Sequence, residues 1–204
     1  MGAQFLSIKA MAALLSFLGL VFSLFVAMAL TGSAPEASDI DFKHFLGDGK
    51  TIWVYNTSEN GTVTCRRDKI FKVEQQSVCF TRLFKNKSRD VEENLNGTLF
   101  NWAHWDEPTR EPYDSMLVST PAGVEQTDEI LEFLDIERIC AVVKVIKAVL
   151  VAHGFPPVWR ELRINASNLF VGPSKNCMEY FNTAVQESNQ TSRPSYFPDC
   201  GRSP

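Results

Sequence analysis

The sequence has few of the residues on which catalytic and metal sites are usually built. It contains three histidines, and it has neither a nucleophile-elbow motif nor the paired histidines of a zinc protease. It also has no Cys-x-x-Cys pair and no cysteine and histidine cluster at metal-ligand spacing. These absences disfavour the common hydrolase and zinc-site classes. We therefore expect no enzyme, no metal site and no cofactor.

The chain also lacks a strong excess of charge of either sign. Lysine and arginine total 20 and aspartate and glutamate total 24, which gives a formal net charge of −4. A mildly acidic chain disfavours nucleic acid, and an anionic membrane surface, as the main partner. The sequence contains no internal repeat, and its length predicts a single domain with a core of its own.

Long hydrophobic runs are absent except for one at the N-terminus. Lys9 precedes an apolar run over residues 10–30, and small residues follow it at 31–34. This layout is typical of a secretory signal peptide, which we expect over residues 1–34 with cleavage between about 29 and 34. An uncleaved anchor is the alternative, because about 20 apolar residues can span a bilayer. Residues 35–204 are then expected to be secreted and extracellular, with no membrane contact after cleavage.

Glycosylation motifs are numerous for a chain of this length. Each acceptor that is used must lie on an accessible surface, so Asn165, at the end of a predicted strand, is expected to reach solvent. The Asn-x-Ser/Thr acceptors are Asn56, Asn60, Asn86, Asn96, Asn165 and Asn189. Their number supports an extracellular location independently of the leader.

The predicted elements are mostly short strands separated by turn residues. A short helix is expected near residues 40–45, with Ser38 or Asp39 as its N-cap. A second helix is expected from Pro173 or Ser174 to Glu187, and an irregular tail follows from about residue 188. The eight predicted strands are Ile52–Thr57, Thr62–Val73, Val78–Lys85, Asn96–Trp102, Tyr113–Thr120, Glu129–Leu134, Ile139–Val149 and Val158–Asn165.

Eight sequential strands with short connections favour an all-β fold, an antiparallel up-and-down barrel with the C-terminal helix packed outside. A β-sandwich is the alternative. A barrel of eight strands has an interior just wide enough for side chains or for one small ligand. A ligand cavity is therefore plausible for this chain.

Several residues give the sequence a resemblance to a known family, the secreted salivary lipocalins of ticks, which include the histamine-binding proteins. The resemblance covers the whole chain after the leader, from Asp41 and Phe42 to the last cysteine. The family's amine-binding pattern is Cys-Asp-aliphatic, Glu-Leu-aromatic and a final Cys. Here it reads Cys140-Ala141-Val142, Glu161-Leu162-Arg163 and Cys177. Ala141 and Arg163 depart from that pattern.

The resemblance implies the disulfide pairing and the ligand-binding residues. Cys65 is expected to pair with Cys200, and Cys140 with Cys177, which leaves Cys79 as a buried or capped thiol. The expected ligand-binding residues are Glu161, Arg163, Trp159, Ala141, Val143, Trp53 and Tyr55.

The last strand can be oriented in two ways. If Glu161 points into the barrel, Trp159 and Arg163 do so as well, because alternate residues of a strand share a face. The alternative points Val158, Leu162 and Ile164 inward and leaves Glu161 and Arg163 as a surface pair, which suits the rule that apolar residues face the core. The resemblance favours the first orientation.

Two classes of ligand fit these residues, biogenic amines and lipid-type mediators. Biogenic amines such as histamine or serotonin need unpaired carboxylates and aromatic faces, and Glu132 is one acid that could replace the missing aspartate. A lipid-type mediator would instead place its carboxylate on Arg163 and its tail on apolar walls. By resemblance, the protein sequesters a small host mediator and thereby modulates inflammation or haemostasis. Binding of a host protein, for immune evasion, is the alternative function on the same scaffold.

Overall fold

The computed structural model describes residues 40–201, apart from residues 88, 136, 138–139 and 149–153. The signal peptide expected in residues 1–34 lies outside the described residues. Among the described helices, none is long and apolar enough to cross a membrane.

Eight antiparallel strands form one continuous sheet around a central interior. The strands are β1 (Thr51–Thr57), β2 (Val63–Val73), β3 (Ser77–Asn86), β4 (Arg89–Phe100), β5 (Ser115–Ser119), β6 (Glu125–Asp135), β7 (Cys140–Lys147) and β8 (Val158–Asn165). Each strand pairs with the next along the chain, and β1 pairs with both β8 and β2. The sheet therefore closes on itself, which confirms the predicted barrel and excludes the sandwich.

The strand boundaries differ most from the prediction at β4. This strand begins at Arg89, seven residues before the predicted start at Asn96, and it continues the ladder with β3 from the pair Asn86 and Arg89. Most residues at this end of β4 are exposed, so they show no apolar alternation. Backbone pairing with β3 holds the segment in the sheet where hydrophobic burial does not.

A short helix, α1 (Phe42–Phe45), closes one end of the barrel. Its N-cap is Asp41, beyond the expected caps Ser38 and Asp39, which lie outside the described residues. The Asp41 carboxylate accepts hydrogen bonds from the backbone N–H of Lys43 at 2.7 Å and of Tyr113 at 3.1 Å. Because the cap links the helix to the segment before β5, Phe42 and Phe45 are held against the interior.

The C-terminal helix and the tail lie on the outside of the barrel. Helix α2 (Lys175–Glu187) starts at its N-cap Ser174, and the disulfide Cys140–Cys177 joins it to β7. The tail adds a two-residue strand, β9 (Arg193–Pro194), to the edge of β1. A second disulfide, Cys65–Cys200, ties the tail to β2, and both pairings are those implied by the resemblance. Cys79 is a free thiol and is exposed, so of its two expected states, buried or capped, the buried one is wrong.

The buried apolar residues form two separate cores. The interior core fills the closed end of the barrel and includes Phe42, Phe45, Ile70, Leu99 and Met116. The helix-side core lies between the sheet and α2 and includes Val142, Leu162, Ile164, Phe181 and Val185. Strands β7 and β8 thus bury both of their faces.

Candidate functional site

Strand β8 directs its charged residues into the barrel. Leu162 and Ile164 pack in the helix-side core, so the alternate residues Trp159, Glu161 and Arg163 take the inner face. The orientation with Leu162 and Ile164 inside is therefore wrong. The argument from hydrophobicity fails because α2 covers the outer face of β8. Apolar residues on that face are therefore buried although they lie outside the barrel.

Six charged side chains form a continuous network across the middle of the barrel, which we call the ionic belt. Its members are Arg66, Asp68, Arg82, Glu129, Glu161 and Arg163. Arg82 on β3 is 2.9 Å from Glu129 on β6. These strands are separated by two others in the sheet, so this ion pair must cross the interior.

The belt contains three acids and three arginines, and each acid contacts at least one arginine. Arg163 donates to Glu161 Oε2 from Nε at 2.8 Å and to Glu129 Oε2 from Nη1 at 2.6 Å. Arg82 holds Asp68 with two hydrogen bonds, both 2.8 Å long. Arg66 reaches Glu161 from the other side. The six formal charges therefore cancel.

Burial and pairing act in opposite directions on the pKa values of Glu129 and Glu161. Glu129 is 0% exposed and Glu161 is 1% exposed. Burial alone raises the pKa of the Glu161 carboxyl, but Arg163 and Arg66 outweigh it and hold the pKa well below its usual range. Arg163 and Arg82 likewise lower the pKa of Glu129. Glu129 and Glu161 are therefore ionised at neutral pH.

A cavity of about 250 Å³ lies at the end of the barrel opposite α1. We call it the mouth cavity. Its walls include Glu59, Phe84, Leu95, Lys147 and Trp159, which come from strand ends and a loop at this end. Arg66 and Arg82 line the cavity and also belong to the belt, so the belt forms its floor.

Glu59 is the half-buried carboxylate of the mouth cavity, and the other acid that lines it, Glu93, is exposed. Its Oε2 lies 2.8 Å from Arg66 Nη2, yet this oxygen is buried and makes no hydrogen bond among the described residues. Burial raises the pKa of Glu59, and Arg66 and Arg193 only partly offset that effect. Arg66 Nε is also buried without an acceptor in the part of the chain described. A further polar group can therefore bind beside Glu59 and Arg66.

The other residues expected at the site are divided between the two faces of the sheet. Ala141 and Val143 lie in the interior core. Trp53 and Tyr55 lie on the helix side, where both rings pack against Tyr196 of the tail with centroids 5.2 and 6.1 Å away. These two aromatics therefore do not line the mouth cavity.

Arg163 is not placed to receive a ligand carboxylate. Its side chain is 3% exposed and already binds Glu161 and Glu129. Glu132, the acid considered as a replacement for the missing aspartate, lies outside the barrel and pairs with Arg160 at 2.6 Å. The acid that β6 contributes to the interior is Glu129.

Four belt residues are absent from the sequence-based prediction: Arg66, Asp68, Arg82 and Glu129. The alternation of side chains along the strands nevertheless indicates that they point inward. Asp68 shares its face of β2 with Ile70, and Glu129 shares its face of β6 with Leu131, and both of these apolar residues are in the interior core. Charge at those positions ordinarily marks the solvent face, which conceals the signal.

The predicted glycosylation sites differ in accessibility. Asn60, Asn86, Asn96 and Asn189 are exposed, and Asn56 is half-buried in β1. Asn165 is 6% exposed, and its Oδ1 accepts hydrogen bonds from the backbone N–H and the hydroxyl of Ser167. The expectation that Asn165 reaches solvent is wrong, because its amide caps the turn that follows β8.

Comparison with solved structures identifies proteins with a similar fold. The chain is similar to the crystal structure of the AM182 serotonin complex, with 16% sequence identity over 80% of this chain and 93% of that chain and a TM-score of 0.54. It is also similar to Per a 4, a major allergen from cockroaches, with 12% identity over 80% of this chain and 92% of that chain and a TM-score of 0.51. At these identities the likeness concerns the fold, which is lipocalin-like.

Sequence comparison adds no family assignment. No protein-family model matches the sequence, and no curated protein matches it.

Proposed function

We propose that this chain is a secreted lipocalin-like protein that sequesters a small aromatic amine, such as serotonin or histamine, in its mouth cavity. The observation that carries the proposal is the Glu59 carboxylate at the cavity wall, in a site that Trp159 and Phe84 also line. Binding would be stoichiometric and without turnover. The biological effect would be removal of a mediator of host inflammation or haemostasis.

The size of the mouth cavity favours a small ligand. Pockets for drug-sized molecules usually measure about 300–1,000 Å³, and this one measures about 250 Å³. The ionic belt forms its floor, and the interior core packs the barrel beyond it. A long acyl chain would have to displace paired charges to go deeper, so the geometry favours an amine over the lipid-type mediator.

The charges of the cavity favour a cationic group at one position. An ammonium ion beside Glu59 would offset the burial that raises the pKa of this carboxyl. Aromatic faces attract a desolvated cation, and Trp159 is among the walls. The indole N–H of Trp159 donates to Glu161 at 3.0 Å, which fixes the ring before a ligand arrives.

The extracellular and host-directed parts of the proposal have separate support. Two disulfides suit an oxidising compartment. The resemblance to tick salivary lipocalins points to a host mediator. A structural neighbour was crystallised with serotonin, which supports the amine class for this scaffold.

Isothermal titration of the lipid-stripped protein with serotonin and histamine tests the proposal. We expect one amine to bind at about one site per chain, and Glu59→Gln to weaken binding tenfold or more, since hydrogen bonds to charged groups contribute about 1.5–3 kcal/mol. Glu92→Gln is the matched control, because Glu92 is exposed and lines a groove outside the barrel. Absence of binding by both amines, or equal affinities of the two variants, would overturn the proposal.

The same titration with a long-chain fatty acid separates the two ligand classes. We expect no heat from the fatty acid. Tight binding of the fatty acid, together with no response to amines, would assign the cavity to lipid-type mediators instead.

A second candidate function, binding of a host protein, is favoured by apolar side chains on the loops around the mouth. Val124 lies between β5 and β6, Phe155 lies between β7 and β8, and both are exposed. Exposed apolar groups of this kind often mark interaction surfaces. Surface plasmon resonance against purified plasma and immune proteins, with a Val124→Ser/Phe155→Ser variant, tests it. Identical responses of the two forms would count against the candidate.

A further inference from the structure

Three aromatic side chains surround a second cavity that the proposed function does not use. Phe100 ends β4, and Trp102 and Trp105 lie in and beside the short 3-10 turn that follows it. They line a cleft of about 420 Å³, which we call the aromatic cleft. It lies on the β4–β5 connection, at the end of the barrel that α1 closes, and so away from the mouth cavity.

Exposure distinguishes these tryptophans from the other two. Trp105 is 75% exposed and Trp102 is 45% exposed, whereas Trp53 and Trp159 are 8% and 7% exposed. The Phe100 and Trp102 rings are 6.2 Å apart with a 40° angle between their planes, so their faces are not stacked on each other. Aromatic faces are thus open to a ligand in the cleft.

The loop that carries the cleft is fixed by hydrogen bonds within it and to its neighbours. Asn101 accepts from the backbone N–H of His104 at 3.1 Å and donates to the carbonyl of Pro112 at 2.9 Å. The backbone N–H of Trp102 donates to Asp114 at 2.7 Å. Gln76, from the β2–β3 turn, donates to the carbonyl of Pro108. The backbone that presents the indoles is therefore organised before binding, which lowers the entropy cost of binding.

The charge around the cleft is negative. Residues 101–114 contain four acids, Asp106, Glu107, Glu111 and Asp114, and one arginine, Arg110. Arg110 pairs with Glu107 at 3.0 Å, and Lys43 pairs with Glu111 at 3.0 Å. Asp106, directly after Trp105, and Asp114, bound to the Trp102 N–H, then remain without a basic counterion among the described ion pairs.

We propose that the aromatic cleft binds a small soluble quaternary or alkylated ammonium ion. Such ions are poorly hydrated, and they bind to aromatic faces through the negative charge of the ring face. The acidic loop adds long-range attraction for a cation and disfavours anions. The mouth cavity offers a hydrogen-bonding carboxylate instead, so the two sites differ in the ammonium ions they prefer.

The test compares choline with its neutral carbon analogue, 3,3-dimethyl-1-butanol, which has nearly the same shape. Binding is followed by the indole N–H signals of the ¹⁵N-labelled full-length protein, which single Trp→Phe variants assign. We expect choline to shift the Trp102 and Trp105 signals in a saturable way. The neutral analogue should bind about threefold or more weakly, as expected for the cation–π contribution at an exposed site.

Three variants make the result specific. Trp105→Ala should weaken choline binding about fivefold, and its exposed position means that folding should be unaffected, which circular dichroism checks. Phe170→Ala, at an aromatic that is also exposed but lies outside the cleft, is the matched control and should change nothing. Glu59→Gln should also leave choline binding unchanged, because Glu59 belongs to the mouth cavity.

Three outcomes would overturn the proposal. Equal affinity for choline and the alcohol would define the cleft as an apolar patch without charge preference. Shifts confined to Trp53 and Trp159 would place the cation elsewhere. Absence of any shift, or binding only to phosphatidylcholine vesicles, would exclude a soluble ammonium ligand.

Discussion

Each acid of the ionic belt depends on its arginine neighbours. Glu129 is the clearest case, because its carboxylate binds Arg163 at 2.6 Å and Arg82 at 2.9 Å while it is 0% exposed. Removal of one partner from a buried ion pair leaves an uncompensated charge in a medium of low dielectric constant. The stability of the barrel should therefore respond sharply to single neutralising substitutions in the belt.

Glu129→Gln is expected to lower the free energy of unfolding by about 3–5 kcal/mol. Urea unfolding followed by tryptophan fluorescence measures the change. Glu132→Gln is the matched control on the same strand, because Glu132 forms a partly solvated pair with Arg160 outside the barrel. That control should lose about 1 kcal/mol or less. Similar losses of unfolding free energy in both variants would show that the buried network contributes no more to stability than the ion pair outside the barrel.

Acid should destabilise the protein through the same carboxyls. The pKa values of Glu129 and Glu161 are lowered in the folded state, so the unfolded chain binds more protons as pH falls below about 4.3. The contribution of these two carboxyls to stability is fully present above that pH, and it is lost progressively as the pH falls below it. Glu59, whose pKa is raised, has the opposite sign and slightly weakens stability as pH rises through its titration.

Urea midpoints measured from pH 7 to pH 3 check this dependence. We expect a plateau above about pH 5 and a steep fall below about pH 4.3. The fall should be shallower in Glu129→Gln, which lacks one of the titrating groups. A flat profile down to pH 3 would contradict the assignment of lowered pKa values.

Single-residue patterns predict part of the site. The inward direction of Glu161 is predicted by the resemblance and not by hydrophobicity, because both faces of β8 are buried. Strand parity places the acids and arginines of β2, β3 and β6 on the inner face, but local sequence does not show that charge is tolerated there. Each is tolerable inside only because residues distant in the chain neutralise it, such as Asp68 for Arg82 and Glu129 for Arg163.

The pairing of β4 with β5 depends on a residue that has no side chain. Gly97 lies opposite Val118 and Val78 in the ladders of its neighbours, and its backbone is closely approached by Met116. A Cβ atom at residue 97 would lie 2.4 Å from Met116 Sδ and 2.8 Å from Met116 Cγ. Close packing of the two strands therefore requires glycine at this position.

Gly97→Ala should lower the free energy of unfolding by about 1–3 kcal/mol through overpacking. Gly47→Ala is the control. A Cβ there meets only the flexible end of Lys50, which can move away. Thermal unfolding of the wild type and the two alanine variants measures the effect, and equal melting temperatures for the two variants would refute the packing argument.

Elements with a regular pattern of apolar residues are predicted well, whereas elements held only by backbone pairing with a neighbouring strand are not. Strand β8 and helix α2 match their predicted ranges, since apolar periodicity and the Ser174 cap define them. The start of β4 is missed because its residues are mostly exposed and polar. The two-residue strand β9 is too short to carry any pattern, and only its hydrogen bonds to β1 define it.

At the scale of the whole molecule, accessibility should decide which sequons carry glycans. Intact-mass and glycopeptide analysis of protein secreted from eukaryotic cells should find glycans at Asn60, Asn86, Asn96 and Asn189. None is expected at Asn165, whose amide is buried and engaged by Ser167. Asn86→Gln should therefore remove one glycan mass, and Asn165→Gln should remove none. A glycan at Asn165 would contradict the turn geometry described here.

The two disulfides are nested along the chain, and this arrangement has a consequence for proteolysis. Cys65–Cys200 spans 135 residues and encloses Cys140–Cys177, which spans 37. A single cut by a protease anywhere between residues 65 and 200 therefore leaves two fragments that remain covalently joined. A nicked molecule stays in one piece until it is reduced, and a single cut in a loop between Cys65 and Cys200 releases no strand of the barrel.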